Sequence, residues 1–280
     1  MKASFPKTMT VKQRASLAVL VQSEMASDAE HELADRLGLK LFPSAQLGKR
    51  NIPDYVMEIS EAGLSLRGLQ HSNLGRLQVD FASHKLKWRS RQPLQSQLLG
   101  KAAGLKGKSD LCILDATAGL GTDGFLLSQA GCKVTMLERS PIVFALLQDG
   151  LHRAKKSPGT VRDVAERINL LPLDFLAYAP EKQTFDMVYL DPMFAIRRNT
   201  ARAGKSMYFL QQLLPEGNAD TSKSVKSSHS ELPEMLNRAR QLARQRVVLK
   251  RTRLAPVCGI PEPDIRFKGS SSRFDVYLAS

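Results

Sequence analysis

The sequence predicts an α/β fold, a mostly parallel sheet covered by helices on both faces, preceded by a small N-terminal α/β region. Three observations carry this. From Asp110 onward, short apolar runs alternate with segments of helical spacing. Several of these runs stop at an acidic residue: Asp115, Glu138, Asp174 and Asp191. The first is followed by a glycine-rich turn, Gly119-Leu-Gly121. Strands alternating with helices build parallel sheets whose two faces must both be covered. Such sheets bind ligands beyond the carboxyl ends of their strands.

The elements follow in chain order. Leu17 to Val21 reads as a strand. Asp28 to Leu39 reads as a helix, with Ala29, Leu33 and Leu37 at helical spacing and Asp28 as cap. Tyr55 to Ser60 and Leu64 to Leu69 flank Glu61-Ala62-Gly63 and read as a hairpin. Leu77 to Ala82 is a further strand. Then come the strand Leu111 to Leu114, the helix Phe125 to Ala130, and the strand Lys133 to Leu137. The helix Pro141 to Ala154 opens on a proline, which suits a first helical turn. A loop at 155–160 precedes the strands Ile168 to Leu173 and Phe185 to Leu190. Residues 215–230 are polar and Ser-rich and predict a flexible insertion. The helix Leu232 to Arg246 runs into the strand Val247 to Lys250, and Phe274 to Leu278 is the last strand. The expected division is a small region over 1–91 and a Rossmann-like domain over 92–280.

Composition narrows the function. No apolar run approaches the roughly 18 residues of a membrane span. The apolar stretch at Leu17 to Val21 is too short for a signal peptide, so the expectation is a cytoplasmic protein. Cys112, Cys132 and Cys258 form no CxxC pair, and the five histidines have no ligand spacing, so neither disulfide nor metal is expected. Lys and Arg number 41 against 27 Asp and Glu, a formal charge of +14. That excess attracts polyanions. It is clustered at His84 to Arg91 around Trp88, at Lys101 to Lys108, at Arg197 to Lys205 and at Arg238 to Arg253.

The chemistry concentrates at the strand ends. Asp115-Ala-Thr-Ala-Gly119-Leu-Gly121-Thr-Asp123-Gly124 closes a strand and opens a helix, and its glycines allow close approach of a ligand. The GxGxxG spacing within it fits a dinucleotide as well. Glu138 can accept from both hydroxyls of a ribose, which also leaves both ligands open. Asp174 can accept from an adenine amine. Asp191-Pro192-Met193-Phe194 separates the two cases, because it has no part in hydride transfer. An aryl amine is a poor nucleophile. The Asp191 carboxylate and the Pro192 carbonyl can hold its N–H groups and aim its lone pair at an electrophilic methyl. Phe194 can stack on the base.

These residues, with Glu138-Arg139, Val188 to Phe194, Val247 to Arg251 and Arg273 to Tyr277, resemble the RsmJ family of bacterial 16S rRNA guanine-N2 methyltransferases. Lys101 to Gly107, ahead of the first core strand, adds to the resemblance. It implies a Rossmann-like class I S-adenosylmethionine-dependent methyltransferase, with S-adenosyl-L-methionine as donor, S-adenosyl-L-homocysteine as product, and no metal. It implies methylation of the guanine conventionally numbered 1516, in 16S rRNA or the small ribosomal subunit, with no membrane and no obligate protein partner. The residues implied or read for the cofactor are Asp115, Gly119, Gly121, Thr122, Asp123, Glu138, Arg139, Asp174, Phe175 and Asp191. Asp191, Pro192 and Phe194 are the expected catalytic set, and Arg197, Arg198, Lys250 and Arg251 the expected RNA contacts. The chain departs from the family pattern at Thr122, at Asp174-Phe175, in Ala195 to Arg198 and in the 215–230 insertion. Other readings of the same residues are methylation of a different RNA or DNA base amine, a nicotinamide-dependent oxidoreductase, and a non-catalytic RNA-binding protein.

Overall fold

Leu17–Val21 carries no polar side chain and forms strand β1, buried along its whole length. A computed structural model of the chain describes residues 16–49, 51–69, 75–89, 92–180, 184–192, 221–255 and 259–279, with backbone only at 85, 87 and 221–230. β1 pairs in parallel with β2 (Lys40–Pro43) and β3 (Tyr55–Ser60). Helix α1 (Asp28–Leu37) connects β1 to β2. Its cap is Ser27 and not Asp28: the Ser27 side chain accepts from the Glu30 N–H, and the Glu30 carboxylate accepts from the Ser27 N–H. This reciprocal pair satisfies two otherwise orphaned donors. The helix stops short of Leu39 because Gly38 turns left-handed at φ 64°.

β3 and β4 (Gly63–Gly68) make the expected hairpin, and the short β5 (Arg76–Leu77) completes the order β2-β1-β3-β4-β5. The predicted strand Leu77 to Ala82 does not form beyond Leu77. Asp80 Oδ1 accepts from the Ala82 N–H at 2.8 Å, which folds the backbone out of the sheet. The chain then enters α2 (His84–Arg89) and α3 (Leu98–Ala103).

The second sheet holds β6 (Cys112–Asp115), β7 (Lys133–Leu137), β8 (Ile168–Leu171), β9 (Phe185–Leu190), β10 (Ala243–Thr252), β11 (Ile265–Lys268) and β12 (Ser272–Leu278). Its order is β11-β12-β10-β9-β6-β7-β8. β12 runs antiparallel to both its neighbours, and the other pairs are parallel. The chain passes from β6 outward to β8 and returns to β9 on the other side of β6. A crevice opens where the order reverses, at the carboxyl ends of β6 and β9.

Helices α4 (Thr122–Gln129), α5 (Pro141–Lys156), α6 (Thr160–Glu166) and α7 (Thr221–Leu242) connect these strands. The 155–160 loop is shorter than expected, since α5 reaches Lys156 and α6 begins at Thr160. Within 215–230, residues from Thr221 onward belong to α7, and 215–220 lie outside the described residues. The later part of α7 is anchored by Leu232, Met235, Leu236, Ala239 and Leu242, all buried at helical spacing.

α7 packs with Leu114, Val188, Leu190 and Leu249 on one face of the sheet. On the other face, α4, α5 and α6 share one apolar cluster with Ile113, Met187 and Val248. That cluster continues through Leu146, Leu147 and Leu151 of α5 into Leu64, Leu66, Tyr55 and Met57 of the first sheet. The two sheets are therefore joined by a common core around α5.

Candidate active site

The glycine-rich turn after β6 is held by hydrogen bonds to neighbouring strand ends. The Ala116 N–H donates to the Tyr189 carbonyl, and the Ala118 N–H donates to the Leu137 carbonyl. Gly119 sits at φ 55°, and a Cβ there would meet no atom within 4 Å. The space over Gly119 is therefore open to a ligand. Gly121 has a different role from the one expected of it. It caps α4 at φ 73°, and a Cβ there would lie 2.5 Å from Leu147 Cδ1. Gly121 admits the core, not a ligand.

Glu138 reaches under the same turn. Its Oε2 accepts from the Gly119 N–H at 2.9 Å and its Oε1 from the Ser140 N–H at 2.7 Å. Burial pushes its carboxyl up to about 7, against the opposing pull of those N–H groups and Arg139. β8 ends at Leu171, so Asp174 lies in the loop beyond it. There Asp174 caps a short 3₁₀ turn through the Leu176 N–H and meets Arg139 Nη1 at 3.3 Å. Phe175 is buried against the α7 side of the core, with Leu137 and Leu190.

On the opposite flank of the turn lies a cavity of about 380 Å³. Asp115, Gly119, Thr122, Asp123 and Asp191 of the predicted set line it, whereas Gly121, Glu138, Arg139, Asp174 and Phe175 do not. Its other wall comes from the N-terminal region, from Gln78 to Phe81 and from Ser83, Leu86 and Arg89. That wall was not legible in the sequence. It exists because the chain leaves the first sheet at Leu77, where the alternation of Leu77, Val79 and Phe81 reads as a strand.

The cavity floor is a polar network. Asp191 follows β9, and its N–H donates to Thr117 Oγ1 at 2.7 Å. Lys250 on β10 donates from Nζ to Asp191 Oδ2 and to Asp123 Oδ2, each at 2.7 Å. Asp123 also accepts from Tyr189 Oη at 2.8 Å and from Arg89 Nη2 at 3.1 Å. Burial alone would raise the Asp123 carboxyl, but Lys250, Arg89 and the Tyr189 hydroxyl outweigh it and hold it below the usual carboxylate range. Burial raises Asp191, with Lys250 opposing and Asp123 reinforcing. Asp115 is 1% exposed, and burial beside Asp123 and Asp191 pushes its carboxyl up to about 8. Lys250 and Arg89 thus meet the carboxyl groups of Asp123 and Asp191 beside a buried Asp115 that keeps its proton up to about 8.

Two of the expected RNA contacts are relocated by this arrangement. Lys250 is engaged with two carboxylates in the cavity, and Arg251 is 4% exposed in the sheet interior. Neither presents its charge at an open surface, because adjacent residues of a central strand point to opposite covered faces. Arg197, Arg198 and Phe194 lie outside the described residues. Pro192 directly follows Asp191 and is half-buried. Among the described residues no cluster of His, Cys, Asp and Glu could hold a metal ion, and no helix is long and apolar enough to cross a membrane.

Comparison with known proteins gives a consistent picture. A family model described as "Putative SAM-dependent methyltransferase" matches residues 40–279. The ribosomal RNA small subunit methyltransferase J of Pseudoalteromonas atlantica is 41% identical over 231 residues, covering 80% of this chain and 84% of that relative. A relative of the same name from Pseudomonas aeruginosa is 34% identical over 275 residues, covering 96% of this chain and 97% of its own. The crystal structure of a SAM-dependent methyltransferase from Neisseria gonorrhoeae superposes with a TM-score of 0.65 at 29% identity, over 94% of this chain and 96% of that one.

Proposed function

The chain belongs to the ribosomal RNA small subunit methyltransferase J family of S-adenosylmethionine-dependent methyltransferases, and from this we propose that it methylates the exocyclic N2 amine of a guanine in small-subunit ribosomal RNA. The observation that carries the reading is the place of Asp191. Its carboxylate lines a cavity beside the open space over Gly119, at the end of the strand next to the glycine-rich turn.

The residues present fit the cofactor. The space over Gly119 is open, and the cavity of about 380 Å³ beside it lies within the roughly 300–1,000 Å³ of small-molecule sites, although Glu138, Arg139, Asp174 and Phe175 do not line it. Glu138 offers the ribose a buried carboxylate already fixed by two backbone N–H groups. Gly119, Thr122 and Asp115 would flank the methionine part, with Arg139, Asp174 and Phe175 towards the adenine. When bound, S-adenosylmethionine supplies a methyl group to the attacking nitrogen, the N–C bond forming as the C–S bond breaks and its electrons return to sulfur. Asp191 and the Pro192 carbonyl hold the two N–H groups of the amine and direct its lone pair. As charge develops on nitrogen, the Asp191 carboxylate opposes it and stands ready to take the surplus proton. Phe194 is the residue assigned to stack on the guanine, and Arg197 and Arg198 those assigned to phosphate, from their sequence alone. A guanine paired in a helix must be unstacked to reach this site.

The net charge of +14 supports a polyanionic substrate. So does Trp88, 69% exposed on α2, the helix whose Leu86 and Arg89 line the cavity. The test is methylation of small-subunit RNA lacking this modification, with the product nucleoside identified by mass spectrometry. N2-methylguanosine at one site is the expected product. Methyl groups on another base amine would replace guanine as the target, and no transfer to RNA would overturn the reading.

A further inference from the structure

We propose that Lys250 is a positioning residue for methyl transfer, clamping the Asp191 carboxylate in the orientation from which it accepts the target amine. The proposal rests on the reading of Asp191 as the group that holds that amine. Its basis is the sheet itself. Leu249 pairs with Leu190 across β10 and β9, so the next residue on each strand, Lys250 and Asp191, must face each other beyond the pair. Lys250 lies within β10 and Asp191 is the first residue after β9, so the central sheet sets the position of both, which fixes a site more tightly than a free loop.

The contacts leave room for a substrate. Lys250 Nζ takes Asp191 Oδ2 at 2.7 Å and leaves Oδ1 for an incoming donor, since a carboxylate has about four acceptor positions. The second contact, to Asp123 Oδ2 at 2.7 Å, stops Lys250 from swinging away. Asp123 is in turn held by Tyr189 Oη and Arg89 Nη2. The groups facing Asp191 are thus Lys250 from β10, Asp123 from α4, Asp115 from β6, Tyr189 from β9 and Arg89 from α2. Of these, Lys250 is the cation in direct contact with it. Without Lys250, Asp191 would face Asp123 with no cation between them, and that like charge favours its protonated form. A protonated Asp191 loses half its capacity to accept and all of its charge. An ammonium can bridge two single oxygens, whereas a guanidinium favours paired ones. Lys250→Arg should therefore recover only part of the function.

Two variants are expected to act with opposite sign. In Lys250→Met, single-turnover methylation of small-subunit RNA should fall roughly a hundredfold at neutral pH. Its acid limb should move to higher pH, while S-adenosylhomocysteine affinity stays within a few-fold. In Asp123→Asn, Lys250 is shared with one carboxylate fewer, so the acid limb should move to lower pH. The same shifts are read without cofactor or RNA by carboxyl-carbon NMR titration of the aspartates, with Asp191 assigned through Asp191→Asn. If Lys250→Met does not fold, Asp123→Asn and Lys250→Arg carry the test. An Asp191 titration unmoved by either variant overturns the proposal, whatever the activity. If Asp191 shifts as described but no RNA is methylated even by the unaltered protein, the proposed function fails while the coupling stands.

Discussion

The carboxylate of Glu138 lies beneath the backbone of Gly119, whose N–H it accepts at 2.9 Å. One side chain thus shapes the glycine-rich turn and is the one proposed above to accept from the ribose. Glu138→Ala should weaken S-adenosylhomocysteine binding by more than about tenfold, since buried hydroxyls and a backbone N–H lose their acceptor. Calorimetric titration measures this, and unchanged affinity would remove Glu138 from the cofactor site.

The Glu138 carboxyl also sets a pH dependence. Its pKa of about 7 lies above the ordinary 4.5, so it is largely protonated below neutrality in the ligand-free protein. A protonated carboxyl accepts less well from a diol. Affinity for S-adenosylhomocysteine should rise between pH 6 and 8, and Glu138→Gln should flatten that rise. A wild-type affinity constant over this range would contradict the role.

Asp191→Asn preserves size but removes charge and half of the acceptor capacity. Because the contact strengthens as charge develops on nitrogen, the loss belongs to kcat more than to cofactor binding. A fall of roughly a hundredfold or more in single-turnover rate is expected. Near-normal turnover would sink the amine-holding mechanism while leaving the family assignment intact.

Asp115 gives a prediction about stability. Its folded pKa of about 8 exceeds the ordinary 3.8, so the folded state holds this proton more tightly. That contribution is complete below the ordinary value and lost as pH climbs through about 8. Asp115→Asn, which can still accept from the Thr117 N–H, should leave stability near pH 4 unaltered and raise Tm near pH 9 by a few degrees. Melting curves of the two proteins across this range decide it.

Trp88 is the single tryptophan of the chain, so its fluorescence reports on one place. Single-stranded RNA should quench it, S-adenosylhomocysteine should change it less, and Trp88→Ala should weaken RNA binding about tenfold, as loss of one stacked base would. Fluorescence indifferent to RNA would return Trp88 to an ordinary exposed side chain.

Much of the second sheet was legible because several parallel strands are apolar runs with a sharp end; β10 is the exception, beginning at Ala243 inside the helix expected to Arg246. Lys133–Leu137, Pro141 at the start of α5 and Phe185–Leu190 stand where the pattern puts them. The misses have two physical causes. β2 is four residues long and α6 seven, too short for periodicity to register. The strand expected to Ala82 failed because its apolar residues bury against helices from outside any sheet: Val79 would meet a Cβ at Gly150 of α5, and Phe81 stacks on Phe125 of α4. At the site, the strand-end carboxylates were visible as residues, but their partners were not. A lysine in Val247 to Arg251 reads as a surface cation until the β9–β10 register sets it beside Asp191. Thr117 and Tyr189 lie inside motifs and Arg89 inside a basic cluster, but nothing in the sequence gives them these partners, and only the fold brings them together.

The shared network on the cavity floor also bears on when the protein becomes competent. Asp123 and Lys250 are 127 residues apart, and Arg89 joins them from the earlier region. Contacts of such separation form only after a large loop has closed, so they belong to the slow end of folding. Until β10 has paired with β9, Asp191 therefore lacks its lysine.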